Sequence, residues 1–266
     1  MTHSSSQNEQ PHPVALPPFQ TLLDHTNWAS LATACGTGEA LPAALTLLIN
    51  ADPVIRESAL HDALGPVTHQ NSMYEATIPV ALYAAAILNH PAITAGDDNP
   101  DVETQNHPTL LRLLDWLGDT AYDANDECVA TGERVFDESF LDESEEMRAF
   151  RKARPAIFSA VHPLLGHDDE AVRHTALVTA IPLIEHPLLT PHQADLADHA
   201  RRLLAVSTDR HHRDRVLDAL KAWGHDTSES ENESDIAARE HYAHLRAARA
   251  SWDGNWTGGY SDDPPF

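Results

Sequence analysis

The stretch Asp169-Glu170-Ala171-Val172-Arg173-His174-Thr175-Ala176-Leu177 decides how this chain folds, because it occurs three times. Asp52-Pro53-Val54-Ile55-Arg56-Glu57-Ser58-Ala59-Leu60 and Asp209-Arg210-His211-His212-Arg213-Asp214-Arg215-Val216-Leu217 align with it without gaps. The shared frame is Asp-x-x-x-Arg-x-x-[Ala/Val]-Leu. The second and third copies lie 40 residues apart, and the first and second 117, close to three such periods. Self-similarity near 40 residues is the mark of stacked helix pairs. Each part of the frame has a physical role. Asp caps a helix start by accepting from free backbone N–H groups. Arg, one turn in, is placed to reach the Asp of a neighbouring repeat. Ala or Val lets helices approach, and Leu fills the seam. Leu47-Leu48, Leu164-Leu165 and Leu203-Leu204 precede the copies and close the helix before each.

The flanking sequence agrees with a helical chain. Hydrophobic residues make up 42% and aromatics only 6%, so Ala and Leu carry the apolar load. Both are strong helix formers, and β-branched runs are scarce. Helical spacing and punctuation predict helices over 19–34, 41–50, 53–64, 72–89, 110–117, 127–136, 154–165, 169–185, 191–206, 209–223 and 235–250. Pro53 suits a first helical position, where its missing N–H is not needed. Residues 72–89 are apolar nearly all round, as a helix buried on several sides would be. The sequence thus predicts an all-α fold, a superhelix of stacked antiparallel helix pairs. Residues 1–18 read as a disordered N-terminal segment and 19–224 as the repeat domain. An acidic linker is expected at 225–235, a terminal helix at 235–250 and a flexible tail at 251–266.

This frame resembles the HEAT-repeat family, armadillo-type helical repeats that include the short HEAT-like repeats found with phycobilisome lyases. Their pattern is also Asp-x-x-Val-Arg-x-x-Ala-x-x-Ala-Leu. The resemblance covers residues 41–65 and 154–224 and maps the family's Asp and Arg onto Asp52 and Arg56, Asp169 and Arg173, Asp209 and Arg213. It does not extend to 92–150. A second echo, His90-Pro91-Ala92-Ile93-Thr94 beside His186-Pro187-Leu188-Leu189-Thr190, is spaced by 96 residues and implies an extra helix in the first half. The resemblance implies a binding scaffold or, in the lyase kind, a cofactor-handling enzyme. Deoxyhypusine hydroxylase, a HEAT-repeat enzyme, holds its metals through His-Glu dipeptides, and this chain has none.

Formal net charge is -24. Such a charge opposes binding to nucleic acid or an anionic membrane and suits a basic protein partner. Residues 97–146 hold sixteen acids and two bases, Arg112 and Arg134, so most of the excess lies in this acidic, irregular segment. Two distant cysteines, Cys35 and Cys128, make no framework. With no basic start or apolar core at the N-terminus, the expected setting is cytoplasmic.

Candidate chemistry is sparse. His192, Asp195 and His199, spaced by three and four, would share one helix face and could hold a metal at an open site. Packing of His199 at a helix seam is the favoured alternative. His241 and His244 form a weaker pair. Asp123-Ala124-Asn125-Asp126-Glu127 has the look of a calcium loop, but Cys128 and Arg134 stand where Gly and Glu are needed. Arg201, Arg202, Arg210, Arg213 and Arg215, with His211 and His212, form a basic cluster like the DNA-binding surface of HEAT-like glycosylases, offset here by nearby aspartates. His69-Gln70-Asn71-Ser72 with Tyr74 and Glu75 is a polar cluster able to line a ligand site or to serve as an inter-helix loop. No cofactor motif appears. The expected function is a non-catalytic protein-interaction scaffold or adaptor with a basic partner. The alternatives are a lyase-type or metal-dependent enzyme and, against its charge, a nucleic-acid binder.

Overall fold

A computed structural model of the chain describes residues 15–95 and 107–252. The elements in order are α1 (Phe19–His25), β1 (Ala32–Thr33), β2 (Gly36–Thr37), α2 (Leu41–Leu47), α3 (Pro53–Leu64), β3 (Thr68–His69), β4 (Ser72–Met73), α4 (Thr77–Ile87) and α5 (Pro91–Thr94). They continue with α6 (Pro108–Tyr122), α7 (Asp126–Val135), α8 (Phe140–Glu143), α9 (Glu145–Val161), α10 (Glu170–Leu183), α11 (Gln193–Val206), α12 (Arg210–Ala222) and α13 (Glu233–Trp252). The fold is all-α. Among the described residues, no helix is long and apolar enough to cross a membrane. The chain divides into two compact units, Met1–Leu203 and Leu204–Phe266, and the division falls within α11. Residues 225–235, read from sequence as a linker, lie in the second unit, where Thr227 and Asp235 are buried. The N-terminal segment up to residue 14 and the tail from 253 lie outside the described residues.

In the first unit α6 is central. It packs between α3 and α10, while α4 and α9 pack on each other and also touch α6. Leu110, Leu113, Leu114 and Leu117 of α6 are fully enclosed. The neighbours α6 and α10 approach closely at Gly118, where an added Cβ would lie 3.3 Å from the Cα of Thr179. Only α6 therefore separates the frame-bearing helices α3 and α10. The 117-residue gap does not hold three equal steps, because α7 and α8 take up part of it. α4 is buried on most sides, as its sequence predicts, and Tyr83 donates from its hydroxyl to the Leu45 carbonyl at 2.9 Å. Burial without a countercharge pushes the Tyr83 phenol up to about 12.

The repeated frame starts α3, α10 and α12, and its aspartates cap as expected. Asp52 accepts from Val54 N at 2.9 Å, Asp169 from Ala171 N at 2.8 Å and Asp209 from His212 N at 2.8 Å. The arginines behave differently from the sequence expectation. They turn back onto carbonyls at the end of the preceding helix or turn instead of reaching the Asp of another copy. Arg56 donates to Asn50 O at 2.9 Å and Ala51 O at 3.0 Å, Arg173 to His167 O and Asp168 O at 2.7 Å each, and Arg213 to Leu204 O at 2.6 Å and Ser207 O at 3.0 Å. These carbonyls are orphaned where a helix or turn ends, and a guanidinium supplies several donors at once. A further position belongs to the frame. Two residues before each Asp, a side chain accepts the Asp N–H: Asn50 at 2.9 Å, His167 at 3.0 Å and Ser207 at 3.2 Å.

Two short helices, α5 and α8, form where the sequence reading expected none, α8 within the acidic segment read as irregular, and three expected helices differ in their bounds. The helix expected over 19–34 ends at His25, and residues 32–37 form the β1–β2 hairpin. The helix expected from 72 begins at Thr77, because 68–73 form a second hairpin. Its turn residues Gln70 and Asn71 have φ of 51° and 62°, the left-handed pair that a two-residue type I′ hairpin requires. The helix expected to start at 154 starts at Glu145 and carries Pro155 inside it. Arg151 and Arg154, around that proline, donate instead to Ala124 O at 2.6 and 2.5 Å.

Candidate functional site

The segments that carry the two hairpins are tied together in the first unit. Ala34 N donates to Pro66 O at 2.8 Å, and Ala76 N donates to Ala32 O at 3.1 Å. Glu75, just before α4, accepts from Ala32 N at 2.8 Å through one carboxylate oxygen. This pairing places Ser30 and Leu31 beside Glu75 and Ile78. Because α4 packs against α9, the first turns of α9 complete the lining. The result is a cavity of about 400 Å³ lined by Ser30, Leu31, Glu75, Ile78, Glu145, Glu146 and Ala149.

Its chemistry is lopsided. Leu31, Ile78 and Ala149 are half-buried and supply the apolar wall, while Glu75, Glu145 and Glu146 supply carboxylates. Among the described residues no Arg, Lys or His forms an ion pair with any of the three. Glu145 and Glu146 also sit in the first turn of α9, where the helix dipole favours negative charge. Such a cavity can receive a cation carried on an aliphatic stem, the shape of a lysine or arginine side chain. Sequence reasoning had singled out Glu75 within a polar cluster, and Glu145-Glu146 as the end of the acidic segment. It had no signal that the fold unites them. His69, Gln70, Asn71 and Ser72 of that cluster are exposed on the second hairpin, outside the cavity lining.

The metal candidates are only partly brought together. His192 ends a 3-10 turn, Pro187–His192, ahead of α11 instead of sharing the helix with Asp195 and His199. Asp195 is instead bracketed by His199 Nε2 at 3.9 Å and by His162 Nε2 at 3.5 Å, a residue the sequence reading did not include. His192 packs its ring against Phe158 and His162, with centroids 4.8 and 5.0 Å away. Burial, then the nearby Arg202, push His199 below the usual imidazole range. Among the described residues no group of three or more His, Cys, Asp or Glu is arranged to hold a metal ion.

The calcium-like stretch is a helix start. Asn125 caps α7 by accepting from Cys128 N at 2.7 Å, and Asp126 pairs with Arg151 at 2.5 Å. Buried Arg154 pairs with Glu185 at 3.2 Å, whose Oε2 also accepts from Asp126 N at 2.9 Å. Burial pushes Arg154 down to about 10 and Glu185 upward, and their contact opposes both shifts. The arginine cluster is largely neutralised where it stands: Arg201 pairs with Asp198 at 2.7 Å, Arg210 with Asp214 at 3.6 Å and Arg213 with Asp235 at 2.6 Å. His241 and His244 are exposed on α13. The second unit carries its own groove of about 570 Å³ between α12 and α13, lined by Asp214, Asp218, Glu231 and Asp235, of which Asp214 pairs with Arg210, Glu231 with Lys221 and Arg239, and Asp235 with Arg213.

No protein-family model, no curated protein and no solved structure matches this chain.

Proposed function

We propose that this chain is a non-catalytic interaction module of the HEAT-like helical-repeat kind, which captures a basic protein partner through the acidic cavity beside its hairpins. The observation that carries the reading is the convergence of Glu75, Glu145 and Glu146 on an apolar-walled cavity, with no cation among the described residues paired to them. A lysine or arginine entering it would keep its stem against Leu31, Ile78 and Ala149 and set its charge among the carboxylates. The net charge of -24 adds a long-range field that speeds encounter with a basic surface. The family resemblance is supported by the bonding common to the starts of α3, α10 and α12, in which Asp caps forward and Arg caps backward. A cytoplasmic setting, where Cys35 and Cys128 stay reduced, accords with this role.

The test is titration of the full chain with a labelled basic peptide at rising salt. Wild type should bind, and binding should weaken steeply with ionic strength. The triple variant Glu75→Gln, Glu145→Gln, Glu146→Gln should lose about tenfold or more in affinity and show a shallower salt dependence. Binding that ignores both salt and the triple variant would overturn the reading.

A further inference from the structure

We infer that the exposed pair Val135 and Phe136, at the end of α7, is a second docking surface, built for an amphipathic segment of the basic partner that carries both cationic and apolar side chains. This inference rests on the reading above and specifies the partner's chemistry.

Val135 and Phe136 are 69% and 73% exposed, an unusual state for adjacent large apolar groups. The Phe136 ring does not hang loose. It lies nearly parallel to the Phe140 ring of α8, 5.7 Å between centroids and 10° between planes. Phe140 is itself seated against Gly132 of α7, where any side chain would collide with its ring. α7 and α8 thus hold a two-ring stack whose outer face is open. A rigid, exposed aromatic of this kind is what interface anchors use, because little side-chain entropy is lost when it is covered.

The surroundings choose the occupant. Glu133, Asp137, Glu138, Asp142 and Glu143, the acids of the chain segment that carries the two rings, are all exposed. The single base in this stretch, Arg134, donates to Thr131 at 2.9 Å. Hydrogen bonds from Ser139 hold the Asp137 carboxyl below its usual range, so that charge persists into mildly acidic solution. An arginine or lysine laid on the ring face meets an aromatic quadrupole and a carboxylate rim together, and a neighbouring apolar side chain covers Val135. A second copy of this chain, nucleic acid and an anionic membrane each bring negative charge to this rim and are disfavoured as occupants. The surface also lies near the cavity along the chain. Phe140 and Glu145 are five residues apart, which bounds their separation at about 18 Å.

The experiment uses the full chain and a fluorescein-labelled 14-residue peptide alternating Arg and Leu, with a Glu-Leu peptide as control. Fluorescence anisotropy should show wild type binding the Arg-Leu peptide alone. The Val135→Ser, Phe136→Ser variant should weaken that binding at least tenfold with an unchanged salt slope, since no charge is removed. Phe136→Trp should keep wild-type affinity. Both serine substitutions lie at the surface, so the variant's thermal melt should match wild type. Wild-type affinity in the serine variant, alongside lost affinity in the cavity triple variant, would overturn the docking surface and leave the proposed function standing. Failure of wild type to bind the Arg-Leu peptide would overturn both. Sedimentation showing a wild-type dimer that the serine variant dissolves would assign the patch to self-association and overturn the inference.

Discussion

Arg213 grips Asp235 inside the second unit: Nη2 lies 2.6 Å from Oδ2 and Nε lies 3.1 Å from Oδ1, with both side chains almost inaccessible to solvent. The same guanidinium donates to Leu204 O, Ser207 O and Ser230 O. The third copy of the frame thus ties the end of α11, the start of α12 and the start of α13 to one side chain. Asp235 also accepts from Asn232 N at 2.8 Å. Donation from Arg213, together with that amide, holds the Asp235 carboxyl below its usual range despite burial.

Asp235→Ala should therefore cost about 3–5 kcal/mol, because it leaves a buried guanidinium without its countercharge. The pH sign follows from the lowered carboxyl. The unfolded chain takes up this proton near pH 3.9 and the folded chain only below that. The pair's stabilisation is therefore complete at neutral pH and is lost as pH falls through the acid limb. Urea denaturation of a chain that keeps Trp223 as its sole tryptophan, followed by fluorescence, reads the second unit. Equal midpoints for wild type and Asp235→Ala would refute this account of the pair.

The two halves of the frame should be separable by substitution. Asp52→Ala removes one helix cap and should cost about 1 kcal/mol. Arg56→Met strands two carbonyls, Asn50 O and Ala51 O, and removes a donor to Thr109 Oγ1 at 3.2 Å in the buried core. Its cost should be about 2–3 kcal/mol, the upper part of the range for leaving a buried polar group unsatisfied. Arg173→Met should fall between these values, because Arg173 is half-buried where Arg56 is buried. Urea midpoints of the three variants give the order directly. A larger loss in Asp52→Ala than in Arg56→Met would show that the arginine's backward cap matters little.

What the sequence disclosed and what it hid divide by range. Capping by Asp52, Asp169 and Asp209 was legible because Asp and its target N–H lie within three residues. The arginine targets, five to nine residues back, depend on how one helix ends before the next begins, which no spacing rule states. The second hairpin escaped because Gln70 and Asn71 take left-handed φ without the glycine that usually announces it. The helix expected from 154 starts at Glu145, and α9 continues through Pro155. Gly118 belongs to no sequence motif, although the approach of α6 to Thr179 leaves no room for a side chain without a shift of its neighbour. The cavity was hidden most deeply. Leu31, Glu75 and Glu145 share no local pattern, and only the union of the hairpins with α4 packed on α9 brings them together.

His186 explains the sequence echo between His90-Pro91 and His186-Pro187, and it carries a pH prediction. Both histidines precede a short helical turn and accept a backbone N–H through Nδ1: His90 from Ala92 and His186 from Leu188, each at 3.2 Å. An imidazole can accept there only while Nδ1 is unprotonated. Burial first, then Arg154 and Arg151, push His186 below the usual imidazole range, so the folded chain resists the proton. The unfolded chain takes it up near pH 6.5. Stability from this group is therefore fully present above about pH 6.5 and declines as pH falls toward the lowered folded value. His186→Asn keeps a capping acceptor that does not titrate, so it should match wild type at pH 7.5 and lose less stability by pH 5.5. His186→Ala lacks the acceptor altogether and should be weaker by about 0.5–2 kcal/mol at pH 7.5. His199, also shifted downward, leaves a residual slope in both variants. Thermal melts at the two pH values decide the matter: an equal drop in wild type and His186→Asn would place the acid sensitivity elsewhere.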